Sequence, residues 1–178
     1  AMRTHEADSV MFIVMDAENG EILAYVSLPS FDPNTFYEFS ESGRFNRIAG
    51  YAYEPGSVFK IFTLASFFEL GGINRNSRFF CDGAYENEIS DELTIRINCL
   101  GVHGWVTPEE VLIHSCNAGA ASASGSVSAQ NFHSMLQSFG FGSQTNVPLS
   151  GETSGLLSPP GNWSVRTQPT IAIGQEIG

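Results

Sequence analysis

Lys60 is the only lysine in the chain, and it lies three residues after Ser57. The run from Val58 to Phe68 is apolar around nearly the whole helical circumference, which predicts a buried helix that begins near Ser57. Positions i and i+3 share one face of a helix, so the Lys60 amine is expected within hydrogen-bond reach of the Ser57 hydroxyl. Burial lowers the pKa of an amine, and a neutral amine can take a proton from serine. The pair therefore predicts a serine nucleophile and its base.

The same two residues also have a purely structural interpretation. Ser57 can be an N-cap whose hydroxyl accepts a hydrogen bond from the first helical turn, and Lys60 can extend along apolar surface to water. Serine is abundant in this chain, so Ser-x-x-Lys alone does not decide between the two interpretations. A second motif downstream favours the chemical one.

Ser115–Cys116–Asn117 is this second motif, and its position is more informative than its composition. A Thr-Pro-Glu-Glu sequence at 107–110 has the pattern of a capping box and predicts the start of a helix. The motif falls where that helix ends. Serine and asparagine are also common at ordinary helix ends, so the motif is weak evidence when taken alone.

The three cysteines leave several possibilities open. Cys81 and Cys99 can form a disulfide in an oxidising compartment or remain free thiols, and we favour free thiols, with no bound metal and no cofactor. Alternatively, the region that carries them offers a set of zinc-type ligands, namely Cys81, Asp82, Cys99 and His103. Cys116 belongs to the Ser-Cys-Asn motif.

The bulk composition is that of an ordinary folded protein. The chain has 178 residues, of which 42% are hydrophobic and 15% charged, so disorder is not expected. Its net charge of −11 argues against nucleic acid or an anionic membrane as a partner. One domain, 1–178, is the simplest division, and the abrupt end of the sequence suggests a piece of a longer protein.

Local patterns predict the remaining elements. Apolar runs on either side of Asn19–Gly20 predict a β-hairpin. The stretch 74–102 is acidic, and we expect a solvated loop there. A helix of small residues is expected at 118–123, and a more amphipathic helix at 132–139.

In their ordered succession these motifs resemble the transpeptidase domain of class B penicillin-binding proteins, within the penicillin-recognising serine acyltransferases. The resemblance runs almost end to end and implies an α+β fold, with a mostly antiparallel sheet flanked by helices, β-lactamase/transpeptidase-like and incomplete at the C-terminal end. The motifs that carry it are Val14–Met15–Asp16 with Asn19–Gly20–Glu21–Ile22–Leu23–Ala24, Pro29–Ser30–Phe31–Asp32–Pro33–Asn34, Tyr53–Glu54–Pro55–Gly56–Ser57–Val58–Phe59–Lys60, Ser115–Cys116–Asn117, Phe139–Gly140–Phe141–Gly142, Gly151–Glu152 with Gly155–Leu156, and Ala172–Ile173–Gly174–Gln175.

The family's third motif, Lys-Thr-Gly or Lys-Ser-Gly, has no match here, because the single lysine is already used at Lys60. We therefore expect the chain to be the amino-terminal part of a transpeptidase domain, with little or no activity of its own.

Residue by residue, the resemblance implies roles for four side chains. Ser57 would attack the carbonyl between the terminal D-alanines of a peptidoglycan stem peptide, and Lys60 would activate it. Ser115 would relay a proton to the leaving nitrogen, while Asn117 would hold the substrate amide and orient Lys60. The implied partners are stem peptides and β-lactam antibiotics. The parent protein is expected to be membrane-anchored, in a cell-wall synthesis complex, in the periplasm or on the outer face of the bacterial inner membrane.

Two other functions share part of this pattern: a β-lactamase and a non-catalytic β-lactam sensor. A class A β-lactamase needs a Glu-x-x-Leu-Asn element to activate water, and none follows Asn117. The landmarks after Asn117 resemble those of cell-wall enzymes more than those of sensors.

Overall fold

The computed structural model describes residues 2–90 and 92–178. They form two compact units, one of residues up to 51 together with 146–153 and the other of 52–145 together with 154–178. Helices and antiparallel strand pairs follow one another along the chain, which confirms the predicted α+β class. The treatment of 1–178 as one domain stays a prediction. None of the described helices combines the length and apolar character that a membrane crossing requires.

The first unit is built on a hairpin of β1 (Val10–Met15) and β2 (Ile22–Leu28), which pair antiparallel as predicted. In the turn, the Asp16 carboxylate accepts a hydrogen bond from the backbone N–H of Glu18 at 2.8 Å. Gly20 then reverses the chain with a φ of +78°, a conformation that glycine adopts without steric cost. Local sequence therefore specifies this hairpin.

Two short helices follow, α1 (Glu41–Arg44) and α2 (Arg47–Gly50). The Arg47 side chain is buried, and its guanidinium donates hydrogen bonds to backbone carbonyl oxygens, including those of Pro29 at 3.3 Å and Ser42 at 2.7 Å. A buried cation is stable only where such acceptors replace water. Arg47 thereby ties the segment after β2 to the α1–α2 region.

The second unit packs its helices around one central helix of small residues. Its helices are α3 (Lys60–Glu69), α4 (Pro108–Ile113), α5 (Asn117–Ser124), α6 (Ala129–Ser138) and α7 (Thr167–Ile171). The central helix is α5, which packs against α3, α4 and α7, and its alanines are fully buried. A Cβ added to Gly119 would lie 2.5 Å from Cγ2 of Val111, so α4 and α5 approach as closely as glycine allows. The small-residue helix and the amphipathic helix are confirmed.

The stretch 74–102 contains strands, so the prediction of a solvated loop was wrong. β3 (Phe79–Cys81) pairs with β6 (Gly104–Val106), and β4 (Ala84–Ser90) pairs with β5 (Leu93–Asn98). Both pairs are antiparallel. Together with β1–β2 they make three two-stranded sheets.

The acidic side chains concealed the period-two alternation of β4 and β5. Ile95 and Ile97 are buried on one face of β5, whereas Glu86 is exposed and forms a cross-strand ion pair with Arg96. The charges thus mark the solvent face of a half-buried hairpin. Asp91, which belongs to the same acidic cluster, lies outside the described residues.

The helix α3 is less buried than its sequence predicted. Leu64 and Phe67 face the core, but Ile61 is 62% exposed and Phe68 is 40% exposed. An apolar circumference predicted burial on every side. Instead α3 buries one face, the one that carries Lys60.

We predict that Ile95 and Ile89, two of the isoleucines in the β4–β5 hairpin, differ sharply in their contribution to stability. Ile95 is 4% exposed and Ile89 is 42% exposed. Ile95→Ala should lower the free energy of unfolding by about 2–5 kcal/mol, because it leaves a cavity in the core. The matched Ile89→Ala should cost roughly 0.5–1 kcal/mol, as measured by chemical denaturation. Equal effects would contradict the register of this hairpin.

Candidate active site

Ser57 lies in a single 3₁₀ turn, Gly56–Phe59, that leads directly into α3. Its side chain is exposed, as a nucleophile must be to meet a substrate. In the described structure neither the turn nor α3 begins with a side-chain cap hydrogen bond. The alternative interpretation of Ser57 as an N-cap is therefore wrong.

A segment from the far end of the chain holds the turn that carries Ser57. The backbone N–H of Gly56 donates to the carbonyl oxygen of Gly174 at 2.8 Å. Next to it, the Glu54 carboxylate accepts a hydrogen bond from the N–H of Glu176 at 2.8 Å. A Cβ on Gly174 would come within 3.0 Å of backbone atoms of Gly56. Sequence reasoning treated Gly174 only as a family landmark and gave Glu54 no role.

The Lys60 side chain is 1% exposed, and its amine lies among oxygen atoms at the end of this turn. The Nζ atom is 2.8 Å from Oγ of Ser57 and 2.7 Å from Oδ1 of Asn117. It is also 3.2 Å from both the carbonyl oxygen and the Oγ of Ser115. The structure thus brings together all four residues that the sequence selected.

The junction of α4 and α5 supplies Ser115 and Asn117. The predicted capping box at the start of α4 is confirmed, with Thr107 Oγ1 accepting from the N–H of Glu110 and Glu110 Oε2 accepting from the N–H of Thr107. Ser115 then takes a φ of +51°, a left-handed conformation that is strained for a residue with a side chain. This reversal separates the two helices and turns the Ser115 hydroxyl toward Lys60.

Asn117 is fixed from two directions. Its Oδ1 accepts from Lys60, and its Nδ2 donates to the carbonyl oxygen of Asn98 at 3.0 Å, at the end of β5. Asn98 was not selected from the sequence, because only the three-dimensional pairing brings β5 beside α5. Asn117 therefore links the β4–β5 hairpin to the amine.

Burial lowers the pKa of the Lys60 amine from its usual value of 10.5. Coulombic interactions with Cys99 and Cys116 act to raise this pKa, but desolvation is the larger effect. A lowered pKa increases the fraction of neutral amine near pH 7. The site therefore contains a hydroxyl in contact with a group that can accept its proton.

The three cysteines are free thiols in this structure, and they lie close together next to the site. The Sγ atoms of Cys99 and Cys116 are 3.8 Å apart. Burial acts to raise the pKa of Cys99, but backbone N–H donors, first that of Ala118, outweigh it and lower the value to about 6. Burial raises the pKa of Cys116 to about 12.

Comparison with known proteins matches residues 10–178 to the family described as "Penicillin binding protein transpeptidase domain". Stage V sporulation protein D of Bacillus subtilis (strain 168) is 33% identical over 175 residues, which cover 97% of this chain and 27% of that protein. The "probable peptidoglycan D,D-transpeptidase PenA" of Neisseria flavescens is 28% identical over 174 residues, which cover 98% of this chain and 42% of that protein.

The fold is also found in solved structures. The TP domain of Burkholderia pseudomallei penicillin-binding protein 3 superposes with a TM-score of 0.82 at 23% sequence identity, covering 99% of this chain and 47% of that one. This likeness confirms the predicted transpeptidase-like fold. The chain spans less than half the length of each of these proteins.

We predict that Gly174→Ala disturbs the turn that carries Ser57. Gly174 has a φ of +81° and no room for a Cβ, so alanine should destabilise the protein by at least about 1–2 kcal/mol. Hydrogen exchange followed by mass spectrometry should show faster exchange of the amides of Gly56–Phe59. The control is Gly161→Ala, which has open space around the added Cβ and should leave both measurements unchanged. Unaltered exchange in Gly174→Ala would contradict the proposed support.

Proposed function

Since the chain belongs to the family of penicillin-binding-protein transpeptidase domains, we propose that its parent is a peptidoglycan D,D-transpeptidase in which Ser57 forms the acyl-enzyme. The observation that carries this proposal is the position of the Lys60 amine, in contact with the hydroxyl of Ser57 and with both Ser115 and Asn117. Several of the relatives that match are named as transpeptidases or penicillin-binding proteins, so the β-lactamase and sensor alternatives are not favoured.

The hydrogen bonds around Lys60 fit a neutral amine that acts as a base. A neutral amine has two N–H donors and one lone pair. The donors can be used on Oδ1 of Asn117 and on the carbonyl oxygen of Ser115, at 2.7 Å and 3.2 Å. The lone pair then accepts the Ser57 hydroxyl proton across the 2.8 Å contact. The hydrogen bond to Asn117 thus orients the lone pair of Lys60 toward Ser57.

Acylation begins when Ser57 Oγ attacks the carbonyl carbon between the two terminal D-alanines of a stem peptide. The hydroxyl proton passes to Nζ of Lys60 as the new C–O bond forms. When the C–N bond breaks, the leaving nitrogen needs a proton. The Ser115 hydroxyl, 3.2 Å from Nζ, can relay it from Lys60. The terminal D-alanine leaves, and the rest of the peptide stays as an ester on Ser57.

Transfer completes the cycle by the reverse movement of the proton. An amine of a neighbouring stem peptide attacks the ester carbonyl, a new amide bond forms, and the C–O bond to Ser57 breaks. The attacking amine loses a proton through Ser115 and Lys60, and the proton returns to the Ser57 oxygen. The product is a cross-link between two peptides.

The negative charge on the tetrahedral oxygen requires hydrogen-bond donors. The backbone N–H of Ser57 is one candidate, and the family resemblance implies a second donor from the Lys-Thr-Gly or Lys-Ser-Gly strand. These 178 residues contain no such motif. Loss of one donor costs about 10²–10³ in rate. We therefore expect the 178 residues alone to turn over little substrate.

The same serine is the proposed target of β-lactam antibiotics, whose strained amide imitates D-alanyl-D-alanine. Stem peptides and β-lactams are thus the proposed ligands of the parent. A place in a membrane-anchored cell-wall synthesis complex, in the periplasm or on the outer face of the inner membrane, completes the proposal. This part of the proposal, the location and the complex, depends on the family alone.

Labelled penicillin tests the nucleophile directly. In the natural-length protein, Ser57→Ala should reduce covalent labelling by on the order of 10⁴ or more, because it removes the acylated oxygen. Ser138→Ala, which changes an exposed serine in the last turn of α6, should label like the unaltered protein. Stoichiometric labelling of Ser57→Ala would refute the assignment.

The role of Lys60 can be tested from the pH dependence of acylation. Only the neutral amine accepts a proton, so the rate should fall as the pH drops through the pKa of Lys60. Because burial lowers that pKa, the midpoint should lie below 10.5. Lys60→Arg keeps a cation but cannot be deprotonated, so it should abolish this dependence and slow acylation by at least about 10²-fold. A midpoint at 10.5 or above would show that Lys60 is not the base.

A further inference from the structure

A cluster of three thiols and one imidazole adjoins the active site. Its members are Cys81, Cys99, His103 and Cys116. The three sulfur atoms and a ring nitrogen of the histidine all lie within 4.8 Å of one another. Two of them, Cys81 and Cys116, are buried. The acyl-transfer reaction described above uses none of these side chains.

Three of the distances within the cluster are those of a tetrahedral zinc site. Zn–S bonds of about 2.3 Å and Zn–N bonds of about 2.0–2.1 Å in a tetrahedron separate two sulfurs by about 3.8 Å and a sulfur from a nitrogen by about 3.6 Å. The Sγ atoms of Cys99 and Cys116 are 3.8 Å apart. Nδ1 of His103 lies 3.5 Å from Sγ of Cys81 and 3.6 Å from Sγ of Cys99.

Hydrogen bonds hold the segments that carry the three cysteines. Cys81 ends β3, where the N–H of His103 donates to its carbonyl oxygen at 3.2 Å. Cys99 follows β5, and its N–H donates to the carbonyl oxygen of Gly83 at 2.8 Å. Cys116 is the N-cap of α5, with its Sγ accepting from the N–H of Gly119 at 3.3 Å. The fold itself therefore brings the four ligand atoms to within 4.8 Å of one another.

We propose that Cys81, Cys99, His103 and Cys116 bind one zinc ion as a closed, structural site. Thiolate ligands favour zinc over magnesium or calcium, and four protein ligands leave no open position for catalysis. Each ligand thiol that is still protonated releases its proton to solvent when the metal binds. The sequence predicted no bound metal, and the alternative set of zinc ligands contained Asp82. The structure replaces that exposed aspartate with Cys116.

The position of Cys116 gives the zinc a function, which rests on the function proposed above. Cys116 stands between Ser115 and Asn117, the two residues that contact the Lys60 amine. Ser115 is held in a strained backbone conformation. A metal bond to Cys116 would fix the backbone directly after the strained Ser115. It would also connect this backbone, through the other three ligands, to β3, β5 and the start of β6. Zinc would thus keep the proton relay in place.

Metal analysis of the natural-length protein tests the site without reference to activity. Protein purified with zinc present and then dialysed should hold one zinc per chain by inductively coupled plasma mass spectrometry. After chelation under reducing conditions, Co²⁺ added to the unaltered protein should give thiolate-to-cobalt charge-transfer bands and intense tetrahedral d–d bands. This measurement needs no variant, so a folding defect cannot obscure it.

Variants identify the ligands. Cys99→Ser and His103→Ala should each weaken zinc binding by more than the roughly 10–100-fold lost with an outer-shell partner. Asp82→Asn is the matched control, adjacent to Cys81 but outside the cluster, and it should retain one zinc. Three results would overturn the site: no retained zinc together with no cobalt–thiolate bands, a disulfide among these thiols in protein isolated without reductant, or equal loss of zinc in Asp82→Asn.

The proposed effect of zinc on catalysis is tested by a separate measurement, the rate of penicillin acylation. Removal of zinc should slow penicillin acylation by about tenfold or more, and added zinc should restore it. Unchanged acylation in zinc-free protein would overturn the positioning role. If zinc binds but Ser57 is never acylated, the proposed function fails while the metal site stands.

Discussion

A buried amine among oxygen atoms is the constraint on which the rest of this structure depends. Lys60 is almost fully removed from solvent, and a charge in such a position is costly unless the protein supplies partners. The partners come from two other places, the turn before α3 and the α4–α5 junction. Burial also lowers the pKa of the amine, so the same environment that is costly for a cation creates a base. Stability and reactivity thus have one origin.

The surrounding elements serve to bring these oxygens together. The capping box of α4 fixes where that helix begins. The left-handed conformation of Ser115 reverses the backbone after α4, so that α5 starts in a new direction. The small residues of α5 let it lie at the centre of the second unit, close to α3. The β4–β5 hairpin contributes the carbonyl of Asn98, which orients the Asn117 amide. Strain at a single residue is tolerated because its neighbours are held on both sides.

Interactions between neighbours in the chain were predictable from the sequence itself, whereas the long-range contacts of Lys60 with Ser115 and Asn117 were implied only by the family resemblance. The i, i+3 spacing of Ser57 and Lys60, the Asn-Gly hairpin and the capping box all depend on neighbours in the chain, and all were predicted. The hairpin at 84–98 was missed because a cluster of acids outweighed the alternation of isoleucines between them. The support of Gly56 by Gly174, and the convergence of Cys116 with Cys81 and Cys99, join segments that only the tertiary fold brings together. The family resemblance supplied the order of the motifs, but not these contacts.

The hydrogen bond between Gly56 and Gly174 has a consequence for biosynthesis. During translation, Ser57 and Lys60 leave the ribosome well before Gly174 does. The loop that seats them emerges much later, so a nascent chain exposes Ser57 before its turn is locked. The turn that carries Ser57 can therefore take its final form only after synthesis has passed Gly174.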